Sequence, residues 1–178
     1  AGFAVGAYTS RGLNTVTQAF EVGRNTPVPA KPYRTREALV YFNTPNTQSL
    51  SANGLIYSGL FYDGTMTGFQ LHAEWAPVPL FRLRGGSDYR HIVFDDDREG
   101  FDSLTLNSRF TFGFTTKLSL NSYAGYNLIA DLVRVQNRLR WTYLPGSDMF
   151  IVQQMDLHDD SGAIRSTSFL VKTSYHWP

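Results

Sequence analysis

The chain has 178 residues, no cysteine and a near-even charge balance, with 16 lysines and arginines against 15 aspartates and glutamates for a net +1. That excludes disulfide staples and thiolate metal sites and gives no cationic footprint for nucleic acid. No apolar run approaches the ~20 residues of a membrane-spanning helix, so any passage through a bilayer has to be made by strands.

In chain order, alternation predicts about eleven strands and no helix. Segments 2–9 and 14–23 come first, the second with Val16, Phe20 and Val22 in phase, and the first 35 residues carry the weakest pattern. Residues 24–35 contain Pro27, Pro29 and Pro32 and predict a long loop. Strands are then predicted over 36–44, 48–61, 65–76, 80–94, 101–114, 117–128, 131–143, 147–157 and 165–177. No linker interrupts them, so residues 1–178 read as one domain.

The segment from Leu132 to Tyr143 sets the theme. Val133, Val135, Leu139, Trp141 and Tyr143 share one face, while Arg134, Gln136, Arg138, Arg140 and Thr142 share the other. Successive strand side chains point to opposite sides, so the sheet has an apolar wall and a cationic wall. Phase assigns Gln70, His72, Glu74, Arg82, Arg84, Asp88, Arg90, Arg109, Arg134, Arg138, Arg140 and Lys172 to the polar wall, the expected lumen lining. Trp75, Phe114, Trp141, Tyr143, Tyr175 and Trp177 fall on the apolar wall near the short turns, as an interfacial girdle would. Tyr62, Phe94 and Phe101 at the other end suggest a looser second girdle.

Connections alternate between tight turns and, on balance, larger polar loops, as in outer-membrane barrels. The last strand, with Phe169, Val171, Thr173, Tyr175 and Trp177 in phase, looks like a terminal assembly signal. Single-chain bacterial barrels have even strand numbers. Eleven strands therefore point either to residues 1–9 lying outside the sheet or, the preferred expectation, to a portion of a larger barrel.

Candidate chemistry is sparse. His72 and Glu74 share a face with Arg82 and Arg84, which offers a base and an acid on the wrong wall for lipid hydrolysis, so no catalytic role is expected. Asp95, Asp96, Asp97 and Glu99 form one acidic loop and Asp156, Asp159 and Asp160 a second; Asp95, Asp96, Asp97, Asp159 and Asp160 are weak cation candidates without EF-hand spacing. The arginines either favour anions in an aqueous lumen or pair with Glu74, Asp88 and Asp102 to fill a narrow one.

From about residue 57 onward the chain resembles the C-terminal barrel of the DUF5916 family of bacterial outer-membrane proteins. The resemblance is carried by Phe61-Tyr62-Asp63-Gly64, by Ser119-Leu120-Asn121-Ser122-Tyr123-Ala124-Gly125-Tyr126-Asn127, and above all by Asn137-Arg138-Leu139-Arg140-Trp141 running into Leu144-Pro145-Gly146-Ser147-Asp148. Ala124 departs from it, since the family tends to have glutamine before the Tyr-Asn pair. The resemblance implies a longer protein with an N-terminal carbohydrate-binding family 9-like β-sandwich, absent from this chain, and it offers no catalytic residues.

The expectation is therefore an all-β, antiparallel up-and-down transmembrane barrel of 10–11 visible strands in the bacterial outer membrane. It would act as a channel or as the anchor of a surface assembly, with a possible polysaccharide link. Its partners would be outer-membrane lipid, lipopolysaccharide and other envelope subunits, with no cofactor and no nucleic acid. A soluble calycin-like barrel binding a lipophilic ligand and an outer-membrane lipid hydrolase are the alternatives.

Overall fold

In the computed structural model, which describes residues 2–22, 26–158 and 161–175, every regular element is a strand. They are β1 (Ala4–Thr15), β2 (Phe20–Val22), β3 (Thr26–Val28), β4 (Pro32–Asn43), β5 (Leu50–Leu60), β6 (Gly64–Val78), β7 (Phe81–Phe94), β8 (Phe101–Gly113), β9 (Leu118–Asn127), β10 (Leu132–Leu144), β11 (Ser147–His158) and β12 (Ile164–Thr173). One antiparallel ten-stranded sheet runs β1-β4-β5-β6-β7-β8-β9-β10-β11-β12, and β2 and β3 form a separate two-stranded hairpin.

The N-terminal third corrects the expected layout. Segments 2–9 and 14–23 are divided differently: β1 continues through residues 10–13 to Thr15, and of the second segment Phe20–Val22 forms β2, outside the main sheet. Pairing with β4 runs unbroken from Ala4↔Asn43 to Thr15↔Pro32, through the polar stretch Thr9 to Gly12 that interrupts the hydrophobic alternation. Backbone ladders do not need apolar side chains, and an edge strand tolerates polar ones. Within the expected proline loop, Thr26–Val28 pairs with Phe20–Val22, and Pro32 opens β4, where a missing N–H costs no ladder bond.

The main sheet thus has ten strands, and among the described residues no ladder joins β1 to β12. It is an open sheet with two edges, not a closed barrel. Strand order follows chain order throughout, so the connections 79–80, 114–117 and 145–146 lie at one end and 61–63, 95–100 and 128–131 at the other. At the tightest turn, Pro145 fixes its own φ and Gly146 adopts φ 77°, a left-handed conformation that disfavours a side chain.

Little of this sheet is dry. Val28, Tyr33, Leu39, Tyr57, Ile92 and Phe94 are the buried apolar residues. Tyr33, Ile92 and Phe94 have the phase of the polar wall, so the β2–β3 hairpin folds over that wall at the loop end. Tyr62 stacks edge-on against Phe20, Tyr33 and Phe61, with ring centroids 5.6, 5.0 and 4.7 Å apart. The second girdle expected from Tyr62 and Phe94 is therefore absent, because both belong to the seat of the hairpin; Phe101, opposite Ile92, has the polar-wall phase too.

Candidate functional site

Cross-strand partners share a face, so the registers test the wall assignment directly. Gln70↔Asp88, Glu74↔Arg84, Arg84↔Arg109, Arg109↔Tyr123, Tyr123↔Gln136, Arg140↔Phe150 and Phe150↔Lys172 chain seven of the strands, β6 to β12, together on one side. With the alternate positions along each strand, all twelve expected residues from Gln70 to Lys172 lie on that wall. A two-residue period propagated through the ladders does this, since their register shifts, at Trp75/Val78, Thr142/Leu144 and Asp156/Leu157, fall at strand ends.

Most of the charge is matched there. Glu74 receives both Arg82, at 3.1 Å, and Arg84. Asp88 takes two bonds from Arg90, both at 3.0 Å, and one from Gln70 at 2.9 Å. Arg134 grips Asp156 through Nε and Nη2, both at 2.8 Å, and Arg140 grips Asp148 at 3.1 and 2.8 Å. These two bidentate pairs cross one strand boundary, and alternation shows them once β11 is registered on β10 by the 145–146 turn. Asp156 is thereby a strand residue, not part of an acidic loop.

Asp102 is the exception. It faces the apolar wall, where its carboxylate meets His91 Nδ1 at 2.8 Å and accepts from the Tyr89 hydroxyl at 2.9 Å. The expected arginine partner does not exist, because Asp102 has the phase of Leu104 and Leu106. With Tyr89 and His91 it makes a polar cluster on the apolar wall.

Two clefts indent the polar wall. One, of about 460 Å³, is lined by Ser51, Asn53, His72, Glu74, Arg84 and Asn107 among others. Its cation and carboxylate neutralise each other, and Glu74, held by two arginines, is not oriented toward His72 as an acid of a triad would be. The other, of about 250 Å³, is lined by Arg109, Asn121, Ser122, Tyr123, Gln136 and Arg138. Comparison with protein-family models, with curated proteins and with solved structures found no match to this chain. Any functional assignment therefore rests on its own geometry.

The opposite wall is apolar and open. Ile56 and Phe169 are each 69% exposed, and Val40, Phe69, Leu71, Trp75, Leu106, Trp141 and Val171 are exposed with them. Trp75, Phe114, Trp141 and Tyr143 lie on this wall toward the short turns, and Tyr175 follows the end of β12; Trp177 lies outside the described residues. Phe81, Phe110 and Phe112 extend the group. Centroid distances of 5.3, 5.5, 6.3 and 4.9 Å link Trp75, Phe81, Phe110, Phe112 and Phe114 in a continuous belt. One polar seam crosses the wall, where the Ser122 hydroxyl donates to Asn137 Oδ1 at 2.7 Å and Asn137 Nδ2 donates to Gln153 Oε1 at 3.3 Å.

The acidic loop at 95–97 serves the hairpin. Asp96 accepts from Arg98 Nε through both oxygens, at 2.7 and 2.8 Å. That guanidinium holds the Asp96 carboxyl below its usual range, and the same contact raises Arg98. Lys31 meets Asp63 at 2.8 Å, and this bond raises the Lys31 ammonium. Among the described residues no three histidines, aspartates or glutamates gather as a cation site; Asp159 and Asp160 lie outside them.

Proposed function

We propose that this chain forms part of the wall of an outer-membrane β-barrel, its apolar face toward lipid and its arginine-rich face toward an aqueous interior. The observation that carries the reading is the exposed apolar wall that runs from Val5 and Val40 across to Phe169 and Val171, with Arg11, Arg34 and Arg36 sharing its phase at the loop end of β1 and β4. Soluble monomers rarely leave more than a few hundred Å² of contiguous apolar surface open to water. A lipophilic-ligand barrel would have to enclose the face on which Ile56 and Phe169 stand 69% exposed.

Strand length agrees. The ten strands of the sheet have 10 to 15 residues, and a tilted strand needs about 9–11 to cross hydrocarbon. The aromatic belt at the turn end suits an interface. Both edges of the sheet need partners in hydrocarbon, where unpaired backbone groups cost several kcal/mol each. Further strands, in the same polypeptide or in a partner subunit, would complete the barrel, in keeping with the resemblance to the DUF5916 barrel. In this reading the barrel is a channel or the anchor of a surface assembly and carries no catalytic centre.

Refolding into liposomes followed by planar-bilayer recording tests it. Heat-modifiable electrophoretic migration and protection from added protease are expected, with anion-selective current if the interior is open. Inserted but silent protein would favour the anchor. Protein that stays monodisperse in water and ignores liposomes would end the membrane reading.

A further inference from the structure

We propose that the cleft between Arg109 and Arg138 binds the oxyanion of an acidic saccharide; this rests on the polar wall facing water. Five arginines of that wall, Arg82, Arg84, Arg90, Arg134 and Arg140, are each matched to a carboxylate. Arg109 and Arg138 meet none among the described residues, and they line the same cleft with no acidic residue in its walls. The cleft therefore carries two arginines without a direct ion-pair partner, whereas Arg84 in the neighbouring cleft is paired with Glu74.

The arginines are positioned without being neutralised. The Arg138 guanidinium lies 4.3 Å from the Phe150 ring centroid, and the Arg109 guanidinium lies 6.0 Å from that of Tyr123. An aromatic face restrains a guanidinium and leaves its N–H fork available for a planar oxyanion. Ion pairs such as Arg134–Asp156 use that fork up. The registers Arg109↔Tyr123 and Asn121↔Arg138 set the two cations on either side of β9, so one ligand group can meet both.

The remaining lining consists of donors and a stacking surface. Asn121 Oδ1 accepts from the Thr111 hydroxyl at 3.0 Å, which leaves the amide N–H₂ unused. The Gln136 side chain makes no hydrogen bond among the described residues. These amides suit sugar hydroxyls, and the Tyr123 ring suits the apolar face of a pyranose. With about 250 Å³, the cleft falls below the ~300–1,000 Å³ typical of drug-sized ligands and fits one charged ring of a longer glycan.

The test is calorimetric titration of the full chain, folded in detergent micelles, with trigalacturonate, inorganic phosphate and maltotriose at low and high salt. Trigalacturonate is expected to bind and to weaken with salt, phosphate to compete, and maltotriose not to bind. Arg109→Gln or Arg138→Gln should weaken trigalacturonate about tenfold, the loss of one charge-assisted hydrogen bond, and the double variant should abolish binding. Arg11→Gln, on the edge strand β1, removes the same charge and should change nothing. Phosphate binding without trigalacturonate binding overturns the saccharide assignment. Equal affinity for maltotriose, or unchanged affinity in the double variant, overturns the site. If the wild type folds only without detergent, the membrane reading fails, and the same titration in buffer still decides the cleft.

Discussion

Arg98 Nη1 donates to the carbonyl oxygen of Pro27 at 2.9 Å, across 71 residues of sequence. The same guanidinium lies 4.3 Å from the Phe94 ring centroid and bonds Asp96, so one side chain ties the β2–β3 hairpin to the loop after β7. Arg98→Ala is expected to raise hydrogen exchange at the hairpin amides while β5–β10 stay protected. In a conducting barrel it should also raise conductance, because the hairpin covers one mouth of the polar wall. Unchanged exchange across residues 20–28 would show that Tyr33 and Tyr62 hold the hairpin without Arg98.

The same tie has a pH dependence of defined sign. A carboxyl held below its unfolded value, about 3.9 for aspartate, stabilises fully above that value and stops doing so as pH falls through the lower folded one. Asp96 is such a group. Hairpin protection factors, in which the intrinsic pH dependence of amide exchange cancels, should therefore stay constant from neutrality down to about 4 and fall only below it. Hairpin opening between neutral pH and that point would assign control to another group.

Asp156 is a buried carboxylate whose partner, Arg134, is half exposed. Removing only the arginine leaves a buried anion without its bidentate partner; removing both leaves no buried anion. Arg134→Met should thus lower the unfolding midpoint more than the double change Arg134→Met/Asp156→Leu, measured by thermal denaturation in one detergent. The reverse order would mean the pair stabilises the sheet by attraction, not by mutual neutralisation.

The walls were legible in the sequence because a strand has a period of two, and one unslipped register carries that phase to its neighbours. Hence Gln70 and Lys172, far apart in the chain, could be set on one face from pattern alone. Asp102 was legible too, since it has the phase of Leu104 and Leu106; grouping it with the arginines by charge rather than by phase misplaced it. The N-terminal strands were not legible, because β1 is held by backbone bonds through Thr9, Ser10, Arg11 and Gly12, whose side chains carry no alternation. Nor was the anion cleft, because Arg109 and Arg138 are distinguished from the other arginines only by which carboxylates fail to reach them.

The seam Ser122–Asn137–Gln153 makes the apolar wall locally polar. Gln153 is exposed and contributes only one long bond, at 3.3 Å, so its remaining N–H groups are a cost in hydrocarbon. Gln153→Leu should stabilise the bilayer-inserted protein by about 1 kcal/mol, at the lower end of amide transfer costs. Denaturant titration in liposomes measures this. A loss of stability would show that the Gln153 amide meets an acceptor there, as at a contact with another subunit.

Ile56 is the sharpest probe of what the apolar wall touches. It sits mid-strand on β5, between Val40 of β4 and Phe69 of β6. At 69% exposure it contributes little packing that a longer side chain would disturb. On a water-facing surface, Ile56→Arg should change stability by no more than about 0.5 kcal/mol. Facing the middle of a bilayer, the same change should cost about 2–4 kcal/mol, because the guanidinium must be drawn into hydrocarbon. Arg at the position of Leu50, near the turn end of the same strand and wall, should cost about 1 kcal/mol or less in a bilayer, since depth sets the penalty. The gradient from Leu50 to Ile56, read by denaturant titration in liposomes, separates lipid from water. Equal and small effects at both positions would place this wall in solvent and return the apolar face to a soluble partner.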